Sequence, residues 1–247
     1  MTDPTRLASS FGQARAYDRH ADAQRHVARQ LARRIAALPL PARPTVLEIG
    51  CGTGFLGEAL LPLIPQGDWT MTDLAPPMLE RAAARLGGQE RIAWRVMDGE
   101  RPDLPGPYDL ICSSLAVQWF QDLAGSLARL GGLLAPQGWL AFSTLVEGSF
   151  ASWRGAHADL PCGVPDYPSP ASLRAMGWAV EVIEVPVAGG AVDFLRHLAG
   201  IGARLPRPGY APLTPAQLHQ VMARYDAAGQ PATYRVALCM GQPSAAR

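Results

Sequence analysis

The chain has 247 residues, 48% of them hydrophobic and 17% charged, with a formal net charge of +1. That composition excludes a disordered tail and gives no global attraction to nucleic acid or to a membrane surface. All 22 basic residues are arginine; with no lysine, Schiff-base chemistry and a Walker-type phosphate lysine are excluded, although compositional bias is the plainer reading of the absence.

In chain order, residues 15–38 read as a helix. Val27, Leu31 and Ile35 make an apolar stripe, Arg25, Arg29 and Arg33 a basic face opposite it, and Pro39 and Pro41 the stop. Strands and helices then alternate. Strands are expected at 45–50, 68–73, 91–96, 108–113 and 138–146, and helices at 55–63, 76–86 and 123–134, the last capped by Asp122. Such alternation predicts an α/β fold of the Rossmann-like kind, a mostly parallel sheet with helices on both faces. Later strands are expected at 178–187 and 233–240, with helices at 191–203 and 215–228 between them. The stretch 157–172, with four prolines, reads as loop. One domain is expected: a helical cap (1–43), a ligand-binding core (44–146) and a substrate side (147–247) with a helical insertion at 191–228.

Cys51, Cys112, Cys162 and Cys239 form no C-x-x-C pair and read as free thiols in a reducing compartment. The opening MTDPTRLASS has no apolar signal core, and the longest apolar stretch is broken at Pro136-Gln137-Gly138. The expectation is a cytoplasmic protein that neither enters a membrane nor binds nucleic acid.

The chemistry starts at VLEIGCGTGFLG (46–57), a strand running into a glycine loop. Gly52-x-Gly54-x-x-Gly57, with Asp73 beyond it for a ribose, fits a dinucleotide. Glu48-x-Gly50-x-Gly52-x-Gly54 fits S-adenosylmethionine. Three features favour the second. Glu48 sits inside the strand end, where a carboxylate suits a cationic ligand and is costly beside a pyrophosphate. Asp98 follows the third strand, within reach of an adenine amino group. A helix precedes the first strand, and a second mononucleotide half is missing. The five histidines (20, 26, 157, 197 and 219) match no metal or triad spacing, so neither a metal nor a general base is expected.

Residues 44–146 resemble the class I S-adenosylmethionine-dependent methyltransferases. FGQARAYDRHADAQ (11–24), SSLAVQWF (113–120), STLVEGSF (143–150), HLAGIGA (197–203) and ATYRVALCMG (232–241) extend the likeness across the chain. They resemble the malonyl-[acyl-carrier protein] O-methyltransferases of biotin synthesis. The resemblance implies methyl transfer from S-adenosylmethionine to the free carboxylate of a malonyl thioester on acyl-carrier protein or CoA, leaving S-adenosylhomocysteine. It implies a cofactor site of Tyr17, Glu48, Gly50, Cys51, Gly52, Gly54, Asp73, Leu74, Met78, Asp98, Gly99, Ser114 and Leu115. Tyr17, Gln118 and Trp119 are expected to position the acceptor. Some relatives carry lysine before Gly-Ile-Gly-Ala; this chain has Ala199 there, and Arg196 is the expected substitute partner for the malonyl carboxylate. A methyltransferase acting on another small acid or a quinone, and a non-catalytic cofactor- or carrier-binding module, remain as alternatives.

Overall fold

The computed structural model describes residues 8–9, 18, 21–87, 90–201, 207 and 209–242. Its elements, in chain order, are α1 (Asp22–Ile35), β1 (Thr45–Glu48), α2 (Phe55–Leu60), β2 (Asp68–Asp73), α3 (Pro76–Leu86), β3 (Ile92–Val96), β4 (Tyr108–Ser114), α4 (Leu123–Gly131), β5 (Leu134–Leu145), α5 (Ala151–His157), α6 (Pro170–Ala175), β6 (Ala179–Pro186), α7 (Ala191–Gly200), α8 (Pro215–Ala228) and β7 (Thr233–Gly241). The seven strands form one sheet in the order β3-β2-β1-β4-β5-β7-β6. β7 runs antiparallel to both β5 and β6, and the other pairs are parallel.

Alternation along the strands builds two cores. Val46, Leu110, Cys112 and Ala141 face a layer that includes α1, α2 and α3, through Val27, Leu31, Ile35, Leu56, Leu60, Leu79 and Ala82. Their neighbours Leu47, Ile111, Leu140 and Phe142 face the other layer, with Leu127 and Leu130 of α4 and Leu173 of α6. Strand order reverses direction between β1 and β4, and parallel strands end together, so Glu48, Asp73 and Ser114 finish on one edge beside that crevice.

The amphipathic stripe of α1 is fully buried, and Arg29 and Arg33 are exposed on its far side. Arg25 is half-buried: its guanidinium and that of Arg85 each sit over the ring of Phe55, at 4.7 and 4.6 Å. Of the expected span 15–38, the described helix begins at Asp22, and residues 15–17, 19 and 20 lie outside the described residues. Arg34 reaches from α1 to Glu181 on β6, with Nε donating to Oε2 at 3.0 Å and a second guanidinium hydrogen bond to Oε1. That contact holds the Glu181 carboxyl below its ordinary range. Its stabilisation is present above the carboxyl's unfolded value and disappears as pH falls through the lower folded one. Both groups are solvated, so Glu181→Gln is expected to cost only about 0.2–1 kcal/mol at pH 7 and progressively less as the carboxyl protonates in acid, read from urea midpoints. A loss unchanged by acid would show packing rather than charge.

Three expectations need correction. β5 begins at Leu134, because the chain passes through Pro136-Gln137-Gly138 as an irregularity, with Gln137 at φ 67° and the register slipping between Tyr108 and Leu110. For the same reason α4 stops at Gly131. The proline-rich stretch gives way to α6, where Pro170 occupies the first turn and Ser169 accepts from the Ser172 N–H at 3.0 Å. α5 was not foreseen, since seven residues containing Gly155 are too few to show a period.

Candidate functional site

The glycine loop is built from the β1 edge. The Ile49 N–H donates to the Cys112 carbonyl and that of Cys51 to the Thr72 carbonyl, both at 2.8 Å, so the loop leaves the sheet pinned on both sides. Gly50 has φ 62°, and a Cβ there would lie 2.5 Å from the Ala116 Cβ. Gly52 has φ 57° and space around it, and its N–H donates to Asp73 Oδ2 at 2.9 Å. The other Asp73 oxygen accepts from the Ala75 N–H at 2.8 Å. Asp73 thus ties the first loop to the second, while burial keeps its carboxyl above the ordinary value against those hydrogen bonds.

A cavity opens along this edge. Glu48, Gly50, Cys51, Gly52, Asp73, Leu74 and Met78 line one side, and Asp98, Gly99, Ser114, Leu115 and Trp119 the other. Asp98 has Oδ1 turned to the Glu100 N–H at 3.0 Å. Gly54 is not among the lining residues; it opens α2 in a left-handed conformation. Glu48 is 1% exposed. Burial, then the charge of Asp73, pushes its carboxyl up to about 8, against a backbone hydrogen bond from Gly57. Its Oε2 has no hydrogen-bond partner among the described residues. An unsatisfied buried carboxyl beside a close-approach glycine loop is a receptor for a cationic group. The residues present therefore fit S-adenosylmethionine, which carries both a sulfonium and an ammonium.

A second cavity, of about 340 Å³, lies under α7 and α8, within the range of small-molecule sites. Its walls are mostly apolar, among them Leu145, Phe150, Trp153 and Leu198. Gln118 belongs here, its Nε2 donating to the Leu115 carbonyl at 2.6 Å. His157 is also here, with Nδ1 2.6 Å from the Pro161 carbonyl; burial lowers its pKa, so it is held neutral. The two cavities share Gln24, Leu115 and Trp119.

Arg196 is not brought to either cavity. Its side chain is 73% exposed, 3.8 Å from Asp193 one turn back on α7. Tyr17 lies outside the described residues. Gln24 was not foreseen as a site residue, yet a signal existed: it is a polar residue placed three and seven positions before Val27 and Leu31, on the buried face of α1. Cys51, Cys112 and Cys239 are buried, Cys162 is half-buried, and all four are free thiols. Among the described residues no cluster of three or more His, Cys, Asp or Glu could hold a metal. No described helix is long and apolar enough to cross a membrane.

Residues 47–140 match a family model described as a methyltransferase domain. A malonyl-[acyl-carrier protein] O-methyltransferase of Magnetococcus marinus is 43% identical over 229 residues, covering 88% of this chain and 84% of that protein. The chain belongs to the malonyl-[acyl-carrier protein] O-methyltransferase family. The biotin biosynthesis bifunctional protein BioCD of Bordetella avium is 49% identical over 227 residues, which cover 90% of this chain and 48% of that protein. The chain thus spans about half the length of this relative. Among solved structures, the YcgJ protein of Bacillus subtilis superposes with a TM-score of 0.59 at 16% identity, over 87% of this chain and 97% of its own. A putative methyltransferase of Bacillus halodurans superposes likewise, with a TM-score of 0.60 at 13% identity, over 87% of this chain and 99% of its own, so the seven-stranded sheet with its antiparallel β7 shares that fold. Membership of the family makes the chain an enzyme of the methyltransferase class.

Proposed function

We propose that this methyltransferase carries a methyl group from S-adenosylmethionine to the free carboxylate of a malonyl thioester borne by acyl-carrier protein, yielding the methyl ester that primes synthesis of a biotin precursor. The observation that carries the reading is the pair of cavities meeting at Gln24, Leu115 and Trp119. A donor in the acid-lined cavity and an acceptor in the apolar one would face each other across that seam. Glu48 balances the cationic end of the cofactor, Asp73 takes the ribose and Asp98 the adenine, with Leu74, Met78, Gly99, Ser114 and Leu115 closing round it. Trp119 and Gln118 wall the acceptor.

S-adenosylmethionine supplies an electrophilic methyl on a sulfonium. Glu48, Asp73 and Asp98 would hold it as that methyl passes to the carboxylate oxygen, the carbon–sulfur electron pair remaining on sulfur. No proton moves, because a carboxylate is already ionised near neutrality. The chain's work is to hold the oxygen in line and keep water out. The apolar second cavity suits that task, and a neutral ester leaves it more readily than an ion would.

A phenol or quinol acceptor is the second reading. It is favoured by one observation: His157, neutral and with Nε2 unpartnered among the described residues, lines the acceptor cavity. Against it, His157 does not reach the seam. Proton count separates the two readings. With malonyl-acyl-carrier protein, the product is expected to gain one methyl by mass with no net proton released per turnover in weak buffer, and the rate at saturating S-adenosylmethionine to stay flat from about pH 6 to 8. An acetyl thioester is expected to be inert. One proton released per methyl transferred, or a steep rise across that window, would reject the carboxylate acceptor.

A further inference from the structure

Three residues belong to both cavities, and only a group at that boundary can touch an acceptor oxygen while it faces the methyl donor. Leu115 offers no polar side chain, and Trp119 has a single N–H. Gln24 carries an amide with two N–H donors. It is 9% exposed, its Oε1 has no partner among the described residues, and its Nε2 lies 3.5 Å from the Tyr234 hydroxyl, at the outer limit of a hydrogen bond. Gln118, an amide of the second cavity, already commits its Nε2 to the Leu115 carbonyl at 2.6 Å, and Gln121 lines the first cavity alone. Gln24 is therefore the buried amide at the boundary whose hydrogen-bonding capacity is least used.

Among the described residues no arginine lines either cavity, and the sequence contains no lysine. The chemistry explains why a charged partner is unnecessary. Carboxylate and sulfonium neutralise each other as the methyl moves, so negative charge on the acceptor oxygen falls towards the transition state. A guanidinium paired to it would stabilise the starting carboxylate more than the transition state and would raise the barrier. A neutral amide donor fixes the direction of the oxygen with a weaker hold on its charge. This also explains why Arg196, expected to bind the carboxylate, can remain in solvent.

We infer that Gln24 is the acceptor-contacting residue, its side-chain amide donating to the acceptor carboxylate at the boundary between the two cavities; this rests on the reaction proposed above. Its Oε1 and Nε2 exchange places by rotation about one bond. The rotated amide accepts from the Tyr234 hydroxyl and turns its hydrogens towards the position Oε1 now holds. His197 Nε2, 2.7 Å from that hydroxyl, and α1 packing hold the arrangement from behind.

The test compares the parent with Gln24→Leu and Gln24→Glu in single-turnover assays with malonyl-acyl-carrier protein at saturating S-adenosylmethionine, beside calorimetric binding of S-adenosylhomocysteine. The leucine variant is expected to lose about 10- to 100-fold in methyl-transfer rate, from misplacement of the reacting oxygen, with product-cofactor affinity held within about threefold. The glutamate variant is isosteric and guards against a folding defect. Its carboxylate would repel the acceptor when ionised and donate to it when protonated, so its rate is expected to climb as pH falls from about 8 to 5.5 while the parent stays flat. A structural role would leave the two profiles parallel. A leucine variant within twofold of the parent, or a glutamate variant with the parent's flat profile, overturns the inference while the proposed reaction stands. A parent that forms no ester overturns both.

Discussion

Asp73→Ala is expected to weaken binding of S-adenosylhomocysteine by about 10- to 100-fold, corresponding to roughly 1.5–3 kcal/mol for a lost charge-assisted contact. The carboxylate serves two ends at once. It holds the glycine loop through the Gly52 N–H at 2.9 Å and the start of α3 through the Ala75 N–H at 2.8 Å, and its remaining lone pairs are available to ribose hydroxyls. Alanine removes the ribose contact and orphans both backbone donors, so the loop loses its tether as well. Asp73→Asn keeps an acceptor but brings a competing donor to the same spot, and its loss should be smaller than that of alanine. Asp98→Ala, whose side chain among the described residues accepts from the neighbouring Glu100 N–H alone, at 3.0 Å, should cost less than Asp73→Ala. Calorimetric titration ranks the three variants. Affinity in Asp73→Ala within twofold of the parent would remove Asp73 from the ribose site, and tight binding of NAD to the parent would restore the dinucleotide reading of the loop.

Glu48→Gln should move stability and affinity in opposite directions. The Glu48 carboxyl titrates at about 8 in the folded chain, driven first by burial and then by the Asp73 charge. The groups around it do not compensate: Cys51 and Cys112 are themselves pushed well up by burial and stay as neutral thiols. The unfolded chain gives up the Glu48 proton near an ordinary carboxylate value, whereas the folded chain keeps it to about pH 8. Stability of the ligand-free protein therefore falls as pH rises from roughly 4.5 to 8 and levels off above. Glutamine does not titrate, so the variant should equal the parent near pH 4 and exceed it by a few kcal/mol at pH 8, with Tm higher by roughly 5–10 °C. Binding should go the other way. A cationic ligand needs the ionised carboxylate, so the parent releases a proton on binding S-adenosylmethionine and its affinity rises with pH from about 6 to 8. The variant should bind more weakly and without that slope. Thermal melts at two pH values, with calorimetry in buffers of different ionisation enthalpy, measure both. A variant less stable than the parent at pH 8 would mean that the Glu48 carboxyl is structural.

The acid-lined cavity was legible because its residues sit at the ends of successive strands. Glu48 and Asp73 stand at the last positions of β1 and β2, Asp98 lies just past β3, and short apolar runs closed by an acid or a glycine locate those strand ends in the sequence. The acceptor half was less legible. Gln24 and Tyr234 touch across 210 positions, a pairing no local period reveals. Arg196 shows the same limit from the other side. A cation on a helix near a suspected site looks like a substrate ligand until the helix is rotated into place, and α7 turns Phe194 inward and Arg196 outward. Prolines misled at 170, where the residue that signals a break is also the residue that starts a helix.

The position of β7 bears on how the chain reaches its folded state. β6 pairs with β7 alone, and the outer edge of β5 is likewise closed by β7. Residues 233–241 are therefore inserted between two strands that have emerged from the ribosome before them. Until they arrive, a growing chain carries two open strand edges, the exposed hydrogen-bonding groups that invite pairing with another molecule. The parallel strands β1 to β5 can assemble in the order they are made, so the acid-lined cavity can form early, while the wall holding Tyr234 forms after it. Synthesis speed through the codons between β6 and β7, and protection of the nascent chain during that interval, thus bear on how much enzyme is recovered.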